Sequence, residues 1–98
     1  MDIENLMARA NSLQAKISAA QDSLAKMHVK GIADNGAVIV DMTGKYDVLS
    51  VKIDDKAMLI GAQKLSEFVT AAYQDAKTKA DVLIEKTMSE ITGSVSEQ

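Results

Sequence analysis

The sequence predicts an α+β fold in the order α-β-β-β-α: a three-stranded antiparallel meander between two long helices, dimeric with projecting helices. Three observations predict it. An apolar repeat at steps of three and four runs through the first thirty residues. The stretch GIADNGAVIVDMTGKYDVLSVKID, Gly31 to Asp54, carries two Gly-centred turns and cannot be read as helix. A second long helical pattern then starts near Ala62.

Ile3, Leu6, Ala10, Leu13, Ile17, Ala20, Leu24 and Met27 form the first pattern, an a/d heptad seam, with Asp2 placed to cap the helix and Lys26 near its end. Such a helix is about 37 Å long. A compact domain of this length has a radius of gyration of only ~13 Å, so the helix should overhang its own core. Met27 to Ala33 reads as the first strand, closed by the hairpin signal DNG. Ala37 to Thr43 is the second and TGKYD the next turn. Val48 to Ile53 is the third, with Leu49, Val51 and Ile53 alternating against Ser50 and Lys52. The run AVIV in the second strand is apolar on both faces, as in a central strand covered twice. The chain's own helices can cover one face of the sheet, and a second subunit is the simplest cover for the other.

Asp54 or Asp55 can cap a short turn, DDKAML, that stops near Gly61. The second long helix carries Leu65, Phe68, Val69, Ala72, Ala76, Ala80, Leu83, Thr87, Met88 and Ile91, and Gly93 marks its expected end before a flexible tail, 94–98. Small residues in its middle should let another helix approach closely. One domain over 1–93 follows. Leu13, Ile17, Val38, Val40, Phe68 and Ala72 are the expected core and dimer contacts.

Composition bounds the chemistry. With 98 residues, 47% hydrophobic and 26% charged, the chain can build a packed core. It has no Cys, which excludes disulfides and thiolate sites and suits a reducing cytoplasm. The absence of Pro suits long helices. Acidic residues stand where a secretory leader would be positive, and no apolar run is long enough to span a bilayer, so no membrane role is expected. Net charge is −3, but unevenly spread. Residues 1–30 hold four cations against three acids, 31–54 two against four, and 55–98 five against seven. The first helix is the least acidic element.

No catalytic constellation is legible, so no enzyme, metal, cofactor or small-molecule substrate is expected. His28 stands alone among metal-ligating residue types, and DNG and TGK lack the Gly-rich cradle of a phosphate loop. Arg9, Lys16 and Lys30 fall at one heptad position beside the seam; Lys77, Lys79 and Lys86 lie on the second helix. On charge alone these read as solvated faces, with Asp81 and Glu85 near enough to offset much of the second group. The three aromatics, Tyr46, Phe68 and Tyr73, are too few for a base-stacking platform.

Several stretches together resemble the YbaB/EbfC family of bacterial nucleoid-associated proteins. GAVIVDMTGKYDVLSVKID is similar to the family's G-x-V-x-V-x-x-x-G…V-x-ID strand signature. LSEFVTAAYQDAKTKA resembles its L-x-x-L-V-x-A-A-x-N-D-A segment, MSEITG its closing M-x-x-x-T-G, and NLMARANSLQAKI its first helix. Gln74 stands where the family commonly has Asn, Asp55 where it often has Pro, and Ala8 and Thr78 where Lys or Arg is frequent. The resemblance implies a homodimer with helices extended like tweezer arms, binding double-stranded DNA with little sequence specificity and contributing to nucleoid organisation and gene regulation. It places DNA contacts on the helices, at Arg9, Lys16, Lys77, Lys79 and Lys86. The alternative is a dimeric protein–protein scaffold of the same fold whose heptad helix docks another helix.

Overall fold

The computed structural model describes residues 2–96, with side chains described as far as Ile91. Helix α1 spans Ile3–Lys26, strand β1 His28–Ala33, β2 Val38–Thr43, β3 Val48–Ile53, helix α2 Asp55–Met58 and helix α3 Ala62–Ser96. The three strands form one antiparallel sheet in the order β1-β2-β3, so the expected α-β-β-β-α meander is the observed architecture.

The ends of these elements follow from local chemistry. Asp2 caps α1, its carboxylate accepting the Glu4 N–H at 3.2 Å. At the other end, the Gly44 N–H reaches across from the β2–β3 turn to the Leu24 and Met27 carbonyls, both at 3.0 Å. A Cβ at Gly44 would stand 2.8 Å from the Leu24 oxygen, so only glycine lets the turn close this helix end. In the β1–β2 turn Asp34, Asn35 and Gly36 all have positive φ, which short polar side chains and glycine tolerate best. In the β2–β3 turn the Thr43 hydroxyl accepts the N–H groups of Lys45 and Asp47, each at 3.2 Å.

Helix α3 lies over β1 and β2 and scarcely touches β3. The core is the seam between them: Val38, Val40 and Met42 from β2 against Ala72, Ala76 and Ala80 from α3, closed at one end by Ala57 of α2. Phe68 is half-buried against this cluster, and Leu13 and Ile17 are half-buried on α1. The alanine stripe does not serve a neighbouring helix, as its small residues suggested. It lets the α3 backbone settle onto β1 at Gly31, where a Cβ would lie 1.9 Å from the Ala72 carbonyl oxygen and 2.5 Å from the Ala76 nitrogen.

Three further expectations are corrected. First, α3 runs through Gly93 to Ser96, because a lone helical glycine costs only about 1 kcal/mol relative to alanine and no breaker follows it; of the tail expected over 94–98, residues 97 and 98 lie outside the described residues. Second, β3 does not alternate strictly. A bulge sets Asp41 opposite Ser50 but Met42 opposite Val48, leaving Leu49 unpaired and turning Val48 to the α3 side with Val51 and Ile53. Third, Asp54 sits at the α2 N-cap position, yet its side chain makes no capping bond.

The molecule is long. Its radius of gyration is 19.1 Å and its extents are 67 × 19 × 16 Å. The α1 seam is buried only in its C-terminal part, at Ala20 and Leu24; Ile3 is 72% exposed, and Leu6 and Met7 are also exposed. The paired helices thus form an arm that projects from a small two-layer base, as the length mismatch required.

Candidate nucleic-acid interface

The five basic residues expected to meet DNA stand in three different situations. Arg9, Lys77 and Lys86 are exposed, and among the described residues none has a carboxylate within ion-pair distance. Arg9 sits on the projecting part of α1. Lys77 and Lys86 are nine positions apart on α3, about two and a half turns, so they face opposite sides of that helix. One flat strip of duplex cannot meet both through a single copy of the arm.

Lys16 is half-buried in the trough of about 390 Å³ between α1 and α3, beside Ala20, Ser23, Thr87, Glu90 and Ile91. Lys30, which heptad counting aligned with Arg9 and Lys16, belongs to β1 and so leaves the helix stripe.

Lys79 is engaged with the sheet. Its ammonium donates to the Lys30 carbonyl at 2.7 Å and pairs with Asp75, four residues earlier, at 3.0 Å. Asp75 in turn accepts the Ile32 N–H at 2.9 Å. One helix therefore supplies both an acceptor and a donor to the outer edge of β1, satisfying the groups that an unpaired edge strand leaves open. The Ile32 N–H, and after it the Lys79 ammonium, hold the Asp75 carboxyl below its ordinary range. The i, i+4 spacing of Asp75 and Lys79 is legible in the sequence as a helix pair; that β1 shares it is not.

Asp81, read as a neutraliser of the α3 lysines, accepts the Tyr46 hydroxyl instead. That bond, with burial and the Asp81 charge behind it, raises the Tyr46 pKa. It also holds a non-glycine residue at φ 70° in the β2–β3 turn. His28 faces Asp41 across the strands with Nδ1 and Oδ1 3.6 Å apart, too long for a hydrogen bond. No group of three or more metal-ligating side chains occurs among the described residues.

The arrangement offers cations on a projecting arm. A second opening, a groove of about 380 Å³, runs between α3 and β3 and is lined by Val40, Val48, Val51, Val69, Thr70 and Tyr73. It is almost wholly apolar, which suits protein contact better than phosphate.

The model of the YbaB/EbfC DNA-binding family matches residues 1–95. A nucleoid-associated protein of Gluconobacter oxydans is 40% identical over 93 residues, covering 94% of this chain and 87% of the relative. One from Bradyrhizobium diazoefficiens is 37% identical over 94% of this chain and 88% of its own length. A third, from Desulfotalea psychrophila, is 36% identical over 95% and 89%. The crystal structure of an uncharacterized Helicobacter pylori protein superposes with a TM-score of 0.77 over 97% of each chain at 16% identity, and so shares the fold.

Proposed function

Because the chain belongs to the YbaB/EbfC DNA-binding family, we propose that it is a nucleoid-associated protein that binds double-stranded DNA as a homodimer. Binding is through phosphates and tolerant of sequence. The observation that carries this reading is the arm: α1 and α3 project from the base and bear Arg9, Lys77 and Lys86 with no ion-pair partner among the described residues. In a dimer each of these cations occurs twice, so faces that are weak singly act together on one duplex. Arg9 with Lys77 or Lys86 supplies the phosphate contacts and Lys16 lies beside them, while Lys79 serves chiefly to hold the sheet. Contacts of this kind hold DNA without reading bases, which fits nucleoid organisation and broad effects on gene expression. Its place of action is the nucleoid, and no helix among the described residues is long and apolar enough to cross a membrane.

A titration of random-sequence duplex at increasing salt tests the reading. The expected affinity falls steeply, with a log–log slope of about −0.9 per phosphate neutralised. No binding at low salt and high protein concentration would end it.

The net charge of −3 and the exposed Ile3, Leu6 and Met7 favour a second reading, a dimeric scaffold whose arm tip docks a partner helix. Arg9→Glu with Lys16→Glu separates the two. Under the first reading the pair lowers DNA affinity; under the second DNA binding is negligible before and after.

A further inference from the structure

The arm is loosely made along its length. Helix α1 is buried only at Ala20 and Leu24, and the two helices leave the trough of about 390 Å³ between them. Small side chains, Ala19, Ala20 and Ser23, line its α1 wall. Packing along the arm therefore specifies the separation of its helices only weakly.

Both helices are instead tied at the root, to one turn of five residues, 43–47. Gly44 donates its N–H to the Leu24 and Met27 carbonyls at the end of α1, each at 3.0 Å. Two residues on, the Tyr46 hydroxyl donates to Asp81 of α3, one position beyond the last core alanine, Ala80. The turn between these ties is itself well fixed. Thr43 is buried, its hydroxyl accepts the N–H groups of Lys45 and Asp47, and its own N–H donates to the Asp47 carbonyl at 2.9 Å. Hydrogen bonds and this turn thus connect Leu24, Gly44, Tyr46 and Asp81 in sequence. Tyr46 stands at φ 70°, a left-handed conformation unfavourable for a bulky side chain. The fold accepts that cost where the phenol reaches α3.

The root has leverage over the cations. Arg9 lies fifteen residues before Leu24, about 22 Å away along α1. A swing of about 10° at the root carries it through roughly 4 Å, more than the ~3.4 Å rise between successive phosphates of one DNA strand. Lys77 and Lys86 ride on α3, on either side of Asp81 in the chain.

We propose that Tyr46 is a positioning residue for the DNA contacts: by joining the β2–β3 turn to Asp81, it fixes the separation of α1 from α3 and so the spacing between Arg9 and the α3 lysines. This rests on the DNA binding of the proposed function and specifies what holds that surface in shape. Tyr46 acts through Asp81 and Gly44, not through a contact of its own with the duplex.

Two measurements test it. The chain has no native thiol, so Ser12→Cys on α1 and Ser89→Cys on α3, both at exposed positions, carry one spin label each. Electron–electron resonance, with labelled chains diluted in excess unlabelled chain, then reads the distance within one arm. The parent should give one narrow distribution. Tyr46→Phe and Asp81→Leu should each widen it about twofold, whereas Asp81→Asn, which still offers an oxygen to the hydroxyl, should keep it. In the second measurement duplex is titrated over a salt series. Tyr46→Phe changes no charge at pH 7, yet it should lower affinity roughly tenfold at low salt and make the slope shallower by about 1, as one phosphate contact is lost. Circular dichroism checks that each variant is folded. If folded variants keep the parent width, if Asp81→Asn widens it as much as Asp81→Leu, or if Tyr46→Phe leaves the salt slope unchanged, Tyr46 serves the turn alone and the proposal is overturned. A parent chain that binds no duplex at low salt overturns the DNA reading; the label distances, which need no DNA, then still uphold or overturn the spacing of the arm by Tyr46.

Discussion

The Ala72 carbonyl oxygen lies 1.9 Å from where a Cβ on Gly31 would be, so α3 and β1 meet backbone to backbone. This approach sets how deep the long helix sits, and through it the position of the whole arm. Gly31→Ala should push α3 off the sheet. Overpacking a buried site costs typically 1–3 kcal/mol, and here backbone rather than a flexible side chain must move. We expect at least about 3 kcal/mol of lost stability by urea denaturation; a loss below ~1 kcal/mol would show that the approach is not tight.

Asp75→Asn keeps the shape of the β1 latch and removes its charge. The carboxyl is held below its ordinary value of 3.8 by the Ile32 N–H and by Lys79, so its contribution is full above that value and is lost as pH falls through the lower, folded-state one. The variant should unfold at lower urea concentration at pH 7, and the gap should close as pH drops below 3.8. A gap that persists in acid would place the effect elsewhere.

Lys79 and the exposed lysines should separate in their effects. Lys79→Met should lower the unfolding midpoint and favour self-association through the released β1 edge, with little change in the salt slope of DNA binding. Lys77→Glu and Lys86→Glu should leave stability nearly unchanged, and each should make the slope shallower by about 1 for every phosphate it no longer neutralises. Urea melts and salt-series titrations on the same variants give both readings; the opposite assignment would return Lys79 to the DNA surface.

Tyr46→Phe removes the hydroxyl that binds Asp81 and leaves the ring in place. The hydrogen bond to Asp81 raises the phenol's pKa above its ordinary 10.0, so its support is present below that pH and is lost as pH rises through the higher folded value. The variant should melt a few degrees lower at pH 7, and the two proteins should converge in strongly alkaline solution. Equal melting at pH 7 would make the bond incidental.

Much of this molecule is written in local pattern. The heptad seam, the DNG and TGKYD turns and the alanine-rich second helix each carry a periodicity or a backbone preference that acts over a few residues. The overhang of α1 also follows, because helix length is set by residue count while domain radius is set by chain length. Three features lacked such a signal. The role of the alanine stripe depended on what lay opposite it, and Gly31, forty-one positions before Ala72, is not adjacent in any local pattern. The β3 bulge reversed the face of Val48 because register is settled by pairing with β2, not by alternation alone. Lys79 looked like any surface cation until the Lys30 carbonyl was found 2.7 Å from it.

Element order, the extent of α1, turns, family membership and the absence of thiols were all readable along the chain, since they depend on residue types and spacings. Which sheet edge is latched and which is bare, which face Val48 joins, and which lysines stay open to solvent were settled only on folding. Those outcomes depend on pairs of groups far apart in sequence, whose distances exist only once α3 has settled onto β1.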